Sequence, residues 1–273
     1  MSLPALDFRE RLATGRPQIG LCAMYPAPGV IERIGADWDW IWLDGQHGQI
    51  AGYDVMLSMV RACNLVGRPA FVRVPHHEFG AIGLALDMGA AGVIVPVVDD
   101  VEAAKRVVHA AKFPPLGGRS YGGRRPVDLW GRSYSESANA QTLLVVQIES
   151  PRAIANVEAI AAVEGVDALF LGPDDILLRR GVSMTAPRSK ETLGEDMEAV
   201  ARACRHAGKV ACCVGMGAEM FRLCAQMGFT MIVAGGDVPF VANASAAASK
   251  EARAILEGTP VARAPGDGAA SPY

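Results

Sequence analysis

Two short runs carry apolar strands into acid. The first is Val145-Val146-Gln147-Ile148-Glu149, where side chains alternate along a strand and Val145, Gln147 and Glu149 share one face. The second is Leu169-Phe170-Leu171-Gly172-Pro173-Asp174-Asp175. A carboxylate at the end of an apolar strand is costly to bury without a partner. If the two strands are neighbours, Glu149 meets Asp174 or Asp175, and two like charges in one pocket need a cation or a held proton. Oxygen-only ligation with room for water suits Mg²⁺ or Mn²⁺ rather than structural zinc. The competing reading pairs Glu149 with an arginine and uses the two aspartates to cap the next segment.

Two further groups could do chemistry. In Trp40-Ile41-Trp42-Leu43-Asp44-Gly45-Gln46-His47-Gly48, Asp44 ends a strand and His47 follows in a glycine-flanked turn. An imidazole there can act as general base or acid near neutral pH, or be an ordinary turn histidine. In Phe71-Val72-Arg73-Val74-Pro75, strand parity points Arg73 inward. A buried guanidinium wants an anion: a substrate's, or simply Glu149 or Asp44. A Schiff-base lysine would have to end a strand. None of Lys105, Lys112, Lys190, Lys209 and Lys250 does so on the right face.

These residues need elements to hold them. Strands are predicted at Gln18–Cys22, Trp40–Asp44, Pro69–Val74, Gly92–Pro96, Thr142–Ile148, Ala168–Leu171, Val210–Val214 and Met231–Ala234. Helical spacing lies between them at Pro28–Ile34, Tyr53–Cys63, Phe79–Met88, Val101–Ala111, Pro151–Ala162, Glu195–His206, Ala218–Met227 and Pro239–Leu256. Gly35, Gly89, Gly165, Gly208 and Gly228 sit just past helices, where a left-handed cap is expected. Strict alternation with eight strands predicts an α/β fold, a single-domain (β/α)8 TIM barrel over residues 1–256. A doubly wound sheet would want a Gly-x-Gly-x-x-Gly turn after the first strand, and Met24-Tyr25-Pro26-Ala27-Pro28 stands there instead. Two long connections, Lys112–Gln141 and Gly172–Gly194, are expected over the catalytic face. Residues 257–273, rich in Ala, Gly and Pro, read as a flexible tail.

Composition narrows the partners. The chain has 273 residues, 51% of them hydrophobic and 20% charged, so it can bury a large core. Its net charge of -3 and lack of a basic run argue against nucleic acid. No apolar stretch reaches the roughly 20 residues of a membrane span. The N-terminus has no apolar signal core, and the six cysteines are scattered without a Cys-x-x-Cys. A cytoplasmic protein with reduced thiols is expected.

Six motifs in order carry a family resemblance over roughly residues 20–242. They are Trp-x-x-x-Asp-Gly-x-His (Trp40–His47), Arg-x-Pro (Arg73–Pro75), Leu-Asp-x-Gly-x-x-x-x-x-Val-Pro (Leu86–Pro96), Lys-Phe-Pro-Pro-x-Gly-x-Arg (Lys112–Arg119), Gln-Ile-Glu (Gln147–Glu149) and Gly-Pro-x-Asp (Gly172–Asp175). The chain resembles the HpcH/HpaI aldolases, metal-dependent barrels that join or cleave a 2-oxo acid and an aldehyde. The resemblance implies Glu149 and Asp175 as ligands of Mg²⁺, Mn²⁺ or Co²⁺. It implies His47 as base acting through a water, and Arg73 as stabiliser of the enolate oxygen. It implies Asp87 as the residue that raises the basicity of His47. Gln147 and the backbone around Gly172, Pro173 and Asp174 would contact a pyruvate or hydroxypyruvate substrate. It further implies a homo-oligomer, a trimer of dimers with a swapped last helix. Two departures stand out: Gln46 where the family has Glu, and Asp174 where it has Ala. Asp87, at a helix end, should lie near the opposite barrel face and is unfavourable with the helix dipole; the competing reading is a surface aspartate with no role. The loop Gly117–Arg125 is expected to read the acceptor aldehyde through Arg119, while Arg124 and Arg125 read either as acceptor contacts or as a subunit contact. The alternatives are a citrate-lyase-like enzyme acting on a thioester and a non-catalytic 2-oxo-acid-binding barrel.

Overall fold

All eight predicted strands are present in the computed structural model, which describes residues 4–50 and 52–258, the side chains of 4–6 aside. They are β1 (Gln18–Ala23), β2 (Trp40–Asp44), β3 (Ala70–Arg73), β4 (Gly92–Val95), β5 (Leu143–Ile148), β6 (Ala168–Leu171), β7 (Val210–Val214) and β8 (Met231–Gly236). Each pairs in parallel with the next, and β8 closes on β1. The register of β8 against β1 slips once, between Gly20 and Leu21. This is the eight-stranded βα barrel that the alternation predicts.

Helices connect the strands: α1 (Pro4–Ala13), α2 (Pro28–Ile34), α3 (Tyr53–Leu65), α4 (Phe79–Asp87) and α5 (Val101–Ala111) come first. Then follow α6 (Arg124–Trp130), α7 (Tyr134–Gln141), α8 (Pro151–Ala155), α9 (Val157–Ala161), α10 (Pro173–Arg179), α11 (Lys190–Ala207), α12 (Ala218–Gln226) and α13 (Asp237–Gly258). Local chemistry fixes several starts. Asp100 and Ser150 accept from the third residues of α5 and α8, and Ser189 and Thr192 form a reciprocal capping box on α11. The helix expected over Pro151–Ala162 is instead two. Asn156 breaks it, bonding its side-chain amide to the carbonyls of Arg152 and Asp99.

The core has two layers. Leu21, Ile41, Leu43, Val93, Val95, Val146 and Leu169 pack outward against the helices. Trp40, Trp42, Phe71, Val145, Phe170 and Cys212 fill the barrel interior. Helix α1 gives no clear sequence signal, yet its Phe8 is fully buried 5.5 Å from the Phe71 ring and closes the floor. All six cysteines are free and buried. No helix among the described residues is long and apolar enough to cross a membrane.

Three expectations are corrected. Gly35 is right-handed (φ -63°) because it enters a short 3-10 turn, whereas Gly89, Gly165, Gly208 and Gly228 are left-handed as expected. The connection Lys112–Gln141 follows α5, not a strand, so it leads back to the start of β5, away from the strand ends that carry the acids. It also holds α6 and α7. Lys112 accordingly lies among the strand starts, bonding Thr142 O and Asp167 Oδ2, both at 2.8 Å. Finally, α13 runs through Glu257 and Gly258, and the rest of the expected tail lies outside the described residues. The chain divides into two compact units, Met1–Asp237 with the barrel and Val238–Tyr273 with the body of α13.

Candidate active site

Strand register sets the first pair. Asp44 and Arg73 are partners at the carboxyl ends of β2 and β3 and face the same side. Arg73 donates from Nε to Asp44 Oδ1 at 2.9 Å and from Nη2 to Oδ2 at 2.5 Å, a bidentate bond between residues 6% and 1% exposed. Its guanidinium carbon stands 4.6 Å from the Trp42 ring centroid. Its Nη1 makes a long 3.5 Å bond to Gln147 Oε1. Burial works to raise the Asp44 pKa. The Arg73 hydrogen bond and charge, with the N–H groups of His47 and Gln46, overcome it and hold the carboxyl below its ordinary value. Of the anions open to Arg73 from sequence, Asp44 is the one it takes.

Glu149 follows β5 and is 3% exposed. Its Oε1 accepts the Val97 N–H at 2.6 Å. Val97 has φ +52°, a left-handed conformation unfavourable for a β-branched residue, and that turn aims its N–H at the carboxylate. On the other side Gly172 packs so close that a Cβ would stand 2.8 Å from Glu149 Oε2. Burial pushes the Glu149 pKa up, Val97 opposes this, and the charge of Asp175 pushes it further up. Asp175, half-buried in the first turn of α10, has among the described residues only a distant cation, Arg179 Nε at 3.9 Å. Asp174 turns to Arg188, whose Nε donates to it. It is therefore not a second acid beside Glu149.

One cavity of about 570 Å³ joins these groups. His47, Arg73, Gln147, Glu149, Gly172, Pro173, Asp174 and Asp175 all line it. His47 sits in the turn after β2, its N–H on Asp44 Oδ1 at 3.1 Å and its side chain exposed. The backbone around Gly172 offers less than expected. The Gly172 N–H is taken by Ile148 O at 3.0 Å and Pro173 has none, which leaves the Asp174 N–H in the first turn of α10.

Asp87 is the residue the structure does not bring to this cavity. It ends α4, at the opposite end of the βα unit from the strand-end acids, and its Oδ1 binds Arg119 Nη2 at 2.6 Å. The expected acceptor loop is occupied too. Arg119 holds Asp87, Arg124 holds Asp128, and Arg125 donates to Met88 O and Asn64 Oδ1. None of the three lines the cavity.

Sequence reasoning left out several lining residues: Trp42, Met24, Met216, Met220 and Arg188. Parity with Asp44 on β2 was a signal for Trp42. No local pattern marks Val97 or Arg188. Among the described residues no group of three or more His, Cys, Asp or Glu side chains could hold a metal by itself. Glu149 and Asp175 nonetheless fit a hard divalent cation. The charge of Asp175 raises the cost of ionising Glu149, and Mg²⁺-type ions accept one or two carboxylates with substrate and water oxygens completing the shell.

A family model described as HpcH/HpaI aldolase/citrate lyase matches residues 28–244. A 4-hydroxy-2-oxovalerate aldolase from Novosphingobium aromaticivorans is 40% identical over 187 residues, 67% of this chain and 70% of that protein. A hydroxypyruvate/pyruvate aldolase from Delftia acidovorans is 32% identical over 251 residues, 90% of this chain and 92% of that one. The crystal structure of an HpcH/HpaI aldolase/citrate lyase family protein from Burkholderia cenocepacia superposes with a TM-score of 0.81 at 29% identity, covering 90% of this chain and 99% of that chain. A closed parallel barrel with a charged cavity at its strand ends, and aldolases as relatives, define a carbon–carbon lyase of the aldolase class. The chain belongs to the HpcH/HpaI aldolase/citrate lyase family.

Proposed function

We propose that this chain is a divalent-metal-dependent aldolase that joins a 2-oxo acid, pyruvate or hydroxypyruvate, to an aldehyde and cleaves the product. The observation that carries this is the meeting of Glu149, Asp175, Arg73 and His47 in one cavity. Glu149 and Asp175 would hold Mg²⁺, Mn²⁺ or Co²⁺, which as a Lewis acid stabilises negative charge on the keto oxygen.

The chain's own groups do the rest. Arg73 is locked by Asp44 in one orientation, so its charge is preorganised toward an enolate oxygen and needs no rearrangement as charge develops. Gln147, held against Arg73, orients the 2-oxo acid. The Asp174 N–H, in the first turn of α10, is the donor left for the substrate carboxylate. His47 takes the proton from the carbon beside the keto group. The enolate carbon then bonds to the aldehyde carbon, and the new alkoxide takes a proton back from the imidazolium. Cleavage runs the same steps in reverse. We further place the enzyme in the cytoplasm as a homo-oligomer, a trimer of dimers.

Exchange of pyruvate methyl protons with solvent tests the reading without an aldehyde. Exchange should stop in chelator and return with Mn²⁺. In Arg73→Ala it should fall by about 10²–10³, the usual loss for one preorganised donor. The folded protein should also melt at a higher temperature with Mn²⁺, a gain absent in Glu149→Gln. Full exchange in chelator, or borohydride trapping of a pyruvate adduct, would overturn it.

A further inference from the structure

We propose that Arg188 reads a carboxylate on the acceptor, so that the site favours short aldehydes that carry an acid group. The inference rests on the aldolase reading above. Arg188 lies between α10 and α11, one residue before Ser189, the N-cap of α11. The capping box fixes the backbone there, with the Ser189 N–H on Thr192 Oγ1 at 3.0 Å. The side chain reaches the cavity that holds Arg73 and Glu149.

Only one edge of its guanidinium is used. Nε donates to Asp174 Oδ1, and the two terminal nitrogens have no partner among the described residues. Asp174 thus sets the orientation of the group and leaves free the end-on edge, whose paired N–H groups match a carboxylate. The neighbouring wall is apolar: Met24, Met216 and Met220 line the same cavity. Such a wall suits the methylene body of an acceptor, and the Arg188 side chain, 38% exposed, stands at the open rim where a terminal carboxylate would lie. Arg73 cannot serve this second carboxylate with the same fork, because Asp44 occupies its Nε and Nη2. The arginines of the Gly117–Arg125 segment are elsewhere, as shown above.

The full-length enzyme with Mn²⁺ and pyruvate tests this. The panel is glyoxylate and succinic semialdehyde against acetaldehyde and pentanal, their neutral counterparts in size. The Arg188→Gln substitution should lower the acid-to-neutral ratio of kcat/KM by about tenfold or more, the loss of one charge-assisted pair, chiefly through KM of the acid aldehydes. Arg188→Lys, which keeps the charge but not the fork, should fall between. A ratio unchanged within twofold in both variants, or equal losses for acid and neutral aldehydes, would overturn the assignment. Pyruvate methyl exchange separates the two readings, because it needs no acceptor. If the wild-type protein exchanges no protons, the aldolase reading fails by itself. Arg188 is then judged by calorimetric binding of succinate, which Arg188→Gln should weaken about tenfold and which equal binding would refute.

Discussion

Asp44 and Arg73 form a buried pair in which each needs the other. Truncating Asp44 leaves a guanidinium 6% exposed without its ion-pair partner, and Asp44→Ala is expected to cost about 3–5 kcal/mol of stability. Urea unfolding measures this. The same pair predicts a pH dependence. The Asp44 pKa is lowered on folding from its ordinary value of 3.8, so folding favours the ionised form. Its contribution is therefore complete above about pH 5 and is lost as pH falls past 3.8 and through the lower folded value. In Asp44→Asn the unfolding midpoint should depend less on pH across that window. An identical acid profile for wild type and Asp44→Asn would contradict the pairing.

The turn after β4 shows how an element can be shaped for one side chain elsewhere. Val97 is left-handed, which costs a non-glycine residue about 1–2 kcal/mol. The turn delivers its N–H to Glu149 and the next N–H, of Val98, to Gln147 O. One strained residue thereby ties β4 to two site residues at the end of β5. Glycine adopts this conformation freely but loses the side chain and adds freedom to the unfolded chain. Val97→Gly is expected to stay within about 1 kcal/mol of wild type, unlike an ordinary valine-to-glycine change in a core. Thermal and urea denaturation would show it, and a loss above about 3 kcal/mol would mean that strain is not the main term there.

At the scale of the whole molecule, the unit from Val238 holds a helix whose exposed apolar residues include Val241 at 55% and Leu256 at 60%. Ala242, Ala244, Ala246, Ala247 and Ala248 add a run of small residues that permits close approach of another helix. The oligomer proposed above gives this surface a use. Sedimentation of the full chain at micromolar concentration should give six times the chain mass, and Val241→Glu with Leu256→Glu should lower it. A monomer at that concentration would contradict the proposal.

The strands, most of the helices and the family were legible in the sequence because they rest on local periodicity and motif spacing. Alternation placed Arg73, Gln147 and Glu149 on inward faces, and the Gly-Pro-x-Asp run placed Asp175 after the next strand. Other features depend on partners far along the chain. Helix α1 is defined by a floor it must fill, with Phe8 against Phe71. The Asp44–Arg73 pair follows from strand register, the use of the Val97 N–H from a bend, and the Asp174–Arg188 pair from a loop returning to the cavity. The helix-end position of Asp87 is legible in the sequence and points to the amino-end face, whereas the Lys112–Gln141 connection, counted from β4 rather than from α5, is read onto the catalytic face. The end at which a segment lies is settled by the direction of the chain: a segment after a strand meets the carboxyl ends and one after a helix meets the amino ends, so Asp87 meets Arg119 rather than His47.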